Sequence, residues 1–287
     1  LAPLLVLRLP LRAELGAQAR LLRFARTRVV DAGELVLQLV AAAAVMLVVL
    51  NGRGSAQGLL SDDLIVVDSE APLYNGTVFR VNRSTGAQSV LSTGGLFGEP
   101  MRAAITAQGE MLIVDSGPYP PGHGKVIRVD VATGAQSEVA SDGLLTFPQG
   151  LAIEPDGNIL VANSKIDATV IPMVIRVSQG GVQTIVSSGG FLVSPTSIAV
   201  GQNGQVFVGD RSGIVRVDRF TGAQTIVSPG NRPYDIALEA TGQIVAVQGT
   251  SVVRVDPNTG VRSVVSSGGF LSGAYGIAVD DGGDILV

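Results

Sequence analysis

From about residue 64 to the last residue, short apolar segments alternate with turn residues in a repeating pattern. Each unit starts with an apolar strand, has a glycine six residues after its first position, and continues with a second apolar strand. The starting positions are Ala103, Leu151, Ile198, Ile236 and Ile277, and the glycines are Gly109, Gly157, Gly204, Gly242 and Gly283. Steps such as Asn203-Gly204 predict hairpins, because glycine supplies the positive φ that a tight turn requires.

Two further strands complete each unit. The third strand has an arginine after two apolar residues, a Thr-Gly or Gly-Gly turn follows, and a fourth strand closes the unit. The third-strand arginines are Arg80, Arg128, Arg176, Arg216 and Arg254. The starting positions are 48, 47, 38 and 41 residues apart, and four antiparallel strands in a unit of this length are typical of a propeller blade. We therefore predict an all-β fold, a β-propeller of five largely complete four-stranded blades and a truncated sixth.

The two ends of the repeat are incomplete. The first unit has strands two to four but no convincing first strand after Ala56, and residues 277–287 supply only a first and a second strand. A propeller that closes its ring leaves no sheet edge free. We expect the natural chain to continue with two more strands and a closing one, which makes six blades.

The first 56 residues differ from the repeats. Arginines precede an apolar run of sixteen residues, 35–50, in which only Gln38 is polar. This order, followed by the small residues Gly54-Ser55-Ala56, is typical of a cleaved secretory signal, and the alternative is an uncleaved anchor with its positive side inside. We expect an apolar N-terminal helix within segment 1–56 and a propeller domain over 57–287. Either route makes the protein exported (periplasmic, extracellular or at the cell surface), and only this segment contacts a membrane.

Composition and charge exclude several classes of function. The chain has no cysteine, so it has neither disulfides nor a cysteine-based zinc site. Residues 1–60 carry seven basic and three acidic residues, whereas residues 61–287 carry thirteen basic and twenty-one acidic residues. An acidic repeat domain repels phosphate backbones, which argues against nucleic acid as a partner. The sequence also lacks the G-x-S-x-G, P-loop and H-E-x-x-H patterns.

The repeat resembles a known group of propellers. Tryptophan is absent, which disfavours Trp-Asp and kelch repeats, and the plan I-A-V-D-x-x-G-x-I-L-V resembles NHL repeats. It also resembles the related six-bladed group of gluconolactonase-like (SMP-30-like) proteins and streptogramin lyases. The resemblance covers nearly all of residues 62–287 and implies a propeller with ligand sites over the central channel.

A polar residue ends the second strand of every unit. These residues are Asp68, Asp115, Asn163, Asp210 and Gln248. Their oxygen atoms are of the kind that calcium or magnesium binds, so the first four are candidate metal ligands. The alternative is structural, because a polar residue that recurs in every blade usually holds a turn.

The resemblance implies a second set of candidates. Gluconolactonase-like enzymes hold their metal partly through an Asn or Asp just before a first strand, whereas the matching positions here are Met101, Gln149, Thr196, Tyr234 and Tyr275. Only Glu99 and Asp235 flank two of these segments, which puts lactonase activity in doubt. Streptogramin lyases rely on a histidine, and the single histidine here is His123. It is a candidate general base, and the alternative is a solvated loop residue, since the sequence identifies no carboxylate that orients it.

The repeated charged residues favour structural roles. We expect each third-strand arginine to pair with a carboxylate on its own or an adjacent blade. We expect Asp130, Asp218 and Asp256 to cap the turns that follow them.

Long loops distinguish the first three units from the last two. From the second-strand polar residue to the arginine is 12, 13 and 13 residues in the first three units and 6 in the last two. The long loops 69–77, 116–125 and 164–173 carry the candidate binding residues Tyr74, Tyr119, His123, Lys125 and Lys165. Uneven loops on a regular scaffold are where binding specificity is built, and the alternative is neutral insertion in exposed loops.

These observations predict a monomeric, exported, non-catalytic propeller that binds a protein, peptide or glycan through its loop-rich face. The enzyme alternative is a calcium- or magnesium-assisted lactonase or lyase, with chemistry from Glu99, Asp235 or His123. A third possibility is a plain structural or surface module.

Overall fold

The computed structural model describes residues 63–69, 76–117, 123–165, 167 and 169–287, and five strands of the N-terminal part. Those five strands are β1 (Arg23–Phe24), β2 (Arg28–Val29), β3 (Leu35–Val36), β4 (Leu39–Val40) and β5 (Val45–Val49). β1 pairs with β4 and β2 with β3, whereas β5 belongs to the first blade. Among the described residues, no helix is both long enough and apolar enough to span a membrane.

Five four-stranded antiparallel sheets form the blades, and their strands follow one another in chain order from the inside outwards. Blade 1 contains β5, β6 (Asp63–Asp68), β7 (Thr77–Asn82) and β8 (Gln88–Thr93); blade 2 contains β9 (Pro100–Ile105), β10 (Met111–Asp115), β11 (Lys125–Val129) and β12 (Gln136–Ser141). Blade 3 contains β13 (Pro148–Ile153), β14 (Ile159–Asn163), β15 (Met173–Val177) and β16 (Gln183–Ser188); blade 4 contains β17 (Pro195–Val200), β18 (Val206–Asp210), β19 (Gly213–Val217) and β20 (Gln224–Pro229). Blade 5 contains β21 (Asp235–Leu238), β22 (Ile244–Gln248), β23 (Ser251–Val255) and β24 (Arg262–Ser267); a short 3₁₀ helix (Gly269–Leu271) and the two strands of a sixth sheet, β25 (Ala278–Val279) and β26 (Ile285–Leu286), follow.

The first strands of the six sheets form a closed ring. β5, β9, β13, β17, β21 and β25 lie beside one another in this order, and β25 lies beside β5. The predicted propeller with five complete blades and a truncated sixth is thus confirmed.

Apolar side chains fill the space between neighbouring blades. Ile65 and Val67 of blade 1 share one core cluster with Met111 and Ile113 of blade 2, and comparable clusters join each following pair of blades. The second strands β10, β14 and β18 are buried along their whole length, because each blade covers one face of the next. Full burial of one such side chain contributes about 1.5–3 kcal/mol.

The last sheet and the first blade are joined by the same kind of ion pair that joins blades 3 and 4. Glu154 follows the first strand of blade 3 and accepts hydrogen bonds from Arg176 of its own blade and Arg219 of blade 4. Arg83 of blade 1 occupies the place of Arg219 and pairs with Asp280, which occupies the place of Glu154 in the sixth sheet. The ring therefore closes through the same contact that joins blades 3 and 4.

The prediction of a helix in the apolar segment 35–50 is wrong where the structure describes this segment, because β3, β4 and β5 are strands. Val45–Val49 is β5, and it pairs with β6 in register from Val45 opposite Asp68 to Val49 opposite Leu64. A strand covered on both faces is a continuous apolar run, which periodicity does not distinguish from a helix or a signal segment. The first strand of blade 1, which the sequence did not show after Ala56, is therefore β5. It lies before Ala56 and before residue 57, the predicted start of the propeller. The rest of segment 1–56, apart from β1 to β4, lies outside the described residues.

Candidate functional site

The central channel is crossed by the side chain of Arg102. Arg102 lies in the first strand of blade 2 and is almost fully buried. Its Nη2 donates to the carbonyl oxygens of Tyr234 (3.2 Å) and Tyr275 (3.4 Å), which precede the inner strands of blade 5 and the sixth sheet. Its Nε lies 3.7 Å from Oδ2 of Asp235. Blade 2 is opposite blade 5 in a six-membered ring, so this guanidinium occupies the axis and repels a cation there.

Asp235 ties three sheets together. Its Oδ1 accepts from its neighbour's amide, Ile236 N (3.0 Å), and its Oδ2 accepts from Ile277 N of the sixth sheet (3.1 Å). Burial raises the pKa of Asp235, and the facing Arg102 guanidinium opposes that change. Beside it, the rings of Tyr234 and Tyr275 pack at 5.0 Å between centroids. The arrangement is a structural ion pair inside the ring.

The polar residues that end the second strands bind backbone amides. Asp115 accepts from the amides of Gly98 (2.9 Å), Glu99 (3.2 Å) and Gly117 (2.7 Å). Asn163 accepts from the amide of Phe147 (2.9 Å), and Asp210 accepts from the amides of Val193, Ser194 and Ser212. In blades 2, 3 and 4 these contacts hold the loop that enters the blade against the end of its second strand, as the structural alternative predicted.

A metal role for the candidate ligands stays a prediction. Asp68 is buried at the end of β6, in the place of Asp115 in the next blade. Burial raises the pKa of Asp115, and the backbone amides that it accepts from oppose this change. Within the part of the chain that the structure describes, no group of three or more His, Cys, Asp or Glu side chains is arranged to hold a metal ion.

His123 has a carboxylate partner that sequence reasoning missed. Its Nδ1 lies 2.9 Å from Oδ1 of Asp142, and the two side chains are 74% and 62% exposed. The loop after β10 carries His123 and the loop after β12 carries Asp142, so the residues meet at one end of blade 2. Backbone bonds from Asp142 N to Gly124 O (3.0 Å) and from Gly124 N to Leu145 O (2.9 Å) fix the two loops together.

The repeat itself contains a signal for Asp142. The other four blades have glycine at this position: Gly94, Gly189, Gly230 and Gly268, all with positive φ. Asp142 keeps the left-handed backbone with φ of 51°, which a side chain adopts at a cost. Blade 2 thus combines the only histidine with the only side chain at a position that otherwise selects glycine.

The other candidate site residues are distributed along the same end of the molecule. Lys125 begins β11 and pairs with Ser141, the residue directly before Asp142. Lys165 is exposed and follows β14 of blade 3. Glu99 lies next to the 115–117 turn, where its carbonyl accepts from Ser116 N (2.9 Å). Gly117 of that turn lies close to His123, because a Cβ added at Gly117 would lie 2.7 Å from the backbone oxygen of His123. Asp235 lies apart from them in the channel. Tyr74 and Tyr119 lie outside the described residues.

Comparison with known proteins supports the architecture. No protein-family model and no curated protein matches the chain. A structure of a nidogen/laminin complex is similar at 14% identity and a TM-score of 0.66, with 84% of this chain and 88% of that chain covered. A gluconolactonase from Xanthomonas campestris is similar at 16% identity and a TM-score of 0.61, with 86% and 84% covered.

A virginiamycin B lyase from Staphylococcus aureus is also similar, at 16% identity and a TM-score of 0.55, with 82% of this chain and 78% of that chain covered. These structures share the β-propeller fold with this chain. The resemblance to NHL, SMP-30-like and streptogramin lyase propellers is thereby confirmed. Identities this low show the fold alone, since one propeller architecture carries many functions.

Proposed function

We propose that this propeller is a non-catalytic, monomeric binding module that captures a protein, peptide or glycan at the end of blades 2 and 3. The observation that carries the proposal is the exposed His123–Asp142 pair, held 2.9 Å apart by two loops. We call the surface around this pair, which also includes Lys125 and Lys165, the loop face. A residue held in a strained backbone conformation on an exposed loop is more often found at functional sites than elsewhere.

The contacts of the polar side chains in and around the channel favour structural roles over metal-assisted chemistry. Arg102 and Asp235 pair with each other across the ring, and the oxygens of Asp115 and Asp210 accept from backbone amides. The similar nidogen/laminin structure is a complex between proteins, so an architecture of this kind is compatible with protein recognition.

Selection of ligands with the isolated protein tests this function. A glycan array and a displayed peptide library are probed with the unmodified protein, and the selected ligands are then titrated against two variants, His123→Ala and Asp142→Gly. Both variants should weaken binding at least about tenfold, because each removes one member of the pair. The matched control is Asp130→Asn at the opposite end of blade 2, which copies Asn82 of blade 1 and should leave affinity unchanged. Equal affinity for all four proteins would refute the proposed binding face.

The same pair favours one alternative function. A histidine whose Nδ1 is oriented by a carboxylate is the arrangement of a general base, and the exposed ring is accessible to a substrate. A lyase or a lactonase assisted by calcium or magnesium would use it in this way. Cleavage of virginiamycin B and hydrolysis of gluconolactone, each assayed with and without added calcium or magnesium, separate catalysis from binding. Turnover that His123→Ala abolishes would replace the binding module by an enzyme.

Export completes the proposal, and it is supported by the sequence pattern of segment 1–56. Expression with the native N-terminus in a secreting bacterial host, followed by mass measurement of the exported protein, tests it. A mature chain that begins after Ala56 would lack β5, whereas a retained segment keeps the first strand of blade 1. Protein that remains entirely in the cytoplasm would contradict export.

A further inference from the structure

One third-strand arginine departs from the pattern of the other four. Arg80, Arg128, Arg176 and Arg254 pair with Asp63 (3.6 Å), Glu110 (3.3 Å), Glu154 (2.5 Å) and Glu239 (2.6 Å) of their own blades. Arg216 of blade 4 has no such partner, since none of the carboxylates that the structure describes lies within 4.0 Å of its guanidinium nitrogens. Arg216 therefore lacks the close ion pair that the other four third-strand arginines make.

The cause is visible in the repeat. Carboxylates reach the arginine from two places, directly after the first strand (Glu154, Glu239) and at the start of the second strand, where Asp63 is its first residue and Glu110 directly precedes it. In blade 4 these places are occupied by Gly201 and Gln205. Both acidic positions are thus neutral in the same blade, and no charge replaces them nearby on either strand.

A pocket of about 470 Å³ lies at this place. Arg216 lines it together with Asn203, Gln205 and Thr225, and Thr225 lies directly opposite Arg216 in the register of β19 and β20. Arg219 forms part of the wall, but its guanidinium is engaged by Glu154 at 3.4 Å and by the Phe220 ring at 4.5 Å. Arg216 is therefore the cation in this pocket that has donors to spare.

We propose that this pocket binds a phosphate or sulfate group through Arg216. The planar guanidinium donates two parallel hydrogen bonds to an oxyanion of this type, and the amides of Asn203 and Gln205 and the hydroxyl of Thr225 supply further donors. The pocket lies between the first-to-second and third-to-fourth strand turns of blade 4, at the end of the propeller opposite the loop face. It is a second site, independent of the proposed function.

Asp218 sets the affinity of the site. It lines the pocket, and its Oδ1 accepts from the amides of Phe220 (2.9 Å) and Thr221 (2.7 Å). These hydrogen bonds lower the pKa of Asp218, so it is charged at neutral pH and repels an anion. Blade 1 makes the same turn with the neutral Asn82, whose Oδ1 accepts from the Thr85 amide at 2.8 Å.

The repeat supplies variants that copy residues of other blades. Gly201→Glu introduces the carboxylate that blades 3 and 5 have, and Asp218→Asn introduces the amide that blade 1 has. A Cβ at Gly201 would first meet Oδ1 of the flexible Asn203 side chain, at 3.1 Å, and the backbone there is not in the left-handed region. Neither change is expected to disturb the blade, and the melting temperature of each variant checks this.

Titration calorimetry with inorganic phosphate, inorganic sulfate and a sulfated disaccharide at constant ionic strength tests the proposal. Arg216→Gln and Gly201→Glu should each weaken binding by roughly tenfold or more. The first removes the guanidinium, and the second introduces a carboxylate that pairs with it. Asp218→Asn should tighten binding by about two- to fivefold, because it removes a like charge. Tighter binding of the disaccharide identifies a group carried by a glycan, and equal binding identifies the free ion. The proposal would be overturned if no probe bound at millimolar concentration. It would also be overturned if Gly201→Glu and Arg216→Gln bound the probes as tightly as the unmodified protein does.

Discussion

At the scale of single residues, the five blades form a natural set of substitutions. The left-handed position after each fourth strand holds Gly94, Asp142, Gly189, Gly230 and Gly268, with φ between 51° and 72°. A side chain at such a position costs about 1–2 kcal/mol, and glycine avoids that cost. Asp142 holds this conformation at that cost, and its side chain contacts the His123 ring.

Asp142→Gly separates function from stability. The exposed pair contributes about 0–1 kcal/mol, which is no more than the backbone cost that glycine removes. The melting temperature should stay the same or rise by a few degrees, as measured by calorimetry, while binding at the loop face weakens. A fall of more than about 5 °C would mean that the pair stabilises the fold.

The turn aspartates give stability a defined dependence on pH. The amides of Thr259 and Asn258 hold the pKa of Asp256 at about 2, below its ordinary 3.8. A depressed pKa in the folded state contributes stability that is complete above 3.8 and is lost as the pH falls through about 2. Urea unfolding between pH 6 and pH 2 should therefore show a weaker acid dependence for Asp256→Asn than for the unmodified protein. Identical pH profiles would contradict this role.

At the scale of elements, the first strand of blade 1 is the part of the fold most distant from expectation. Val45–Val49 lies between the inner strands β9 and β25 and pairs with β6. Without it, β6 would have an unpaired edge on the inside of the ring, where water does not replace the lost hydrogen bonds well.

Removal of this strand should destabilise the propeller. A chain that begins at residue 57 is compared with one that begins at residue 42. We expect the shorter chain to melt at least about 5 °C lower, because blade 1 loses its inner strand and the sixth sheet loses its neighbour. Equal melting temperatures would show that β5 is dispensable to the folded domain.

At the scale of the whole molecule, the ring is held by contacts between residues far apart in the chain. Arg83 joins blade 1 to Asp280 and Asp284, and Arg102 joins blade 2 to blade 5 and the sixth sheet. Such contacts form only when the blades have assembled in a circle, so they make the folding of separate repeats cooperative.

Arg102→Met tests the contact across the channel. It leaves the buried carboxylate of Asp235 without its counter-charge, which costs about 3–5 kcal/mol, and the urea midpoint should fall accordingly. The double variant Arg102→Met with Asp235→Asn removes the buried charge and should recover part of the loss. A single variant as stable as the unmodified protein would show that the pair is not needed for closure.

The strands, turns and blade architecture follow from sequence because they depend on local chemistry. Glycine at positive φ and aspartates that cap their own turns each act within a few residues. The apolar runs that become buried strands are likewise visible in the sequence. The structural roles of Asp115, Asn163, Asp130 and four of the five third-strand arginines could be predicted in the same way. These features recur, and recurrence is visible in a single chain.

Only the tertiary structure decided which distant residues meet. It paired His123 with Asp142, placed Arg102 beside Asp235 across the ring, and made a strand of an apolar run that reads as a signal segment. Periodicity is silent on such contacts, because ring closure sets them and they occur once. The function proposed here rests on these unique contacts, whereas the fold rests on the repeated ones.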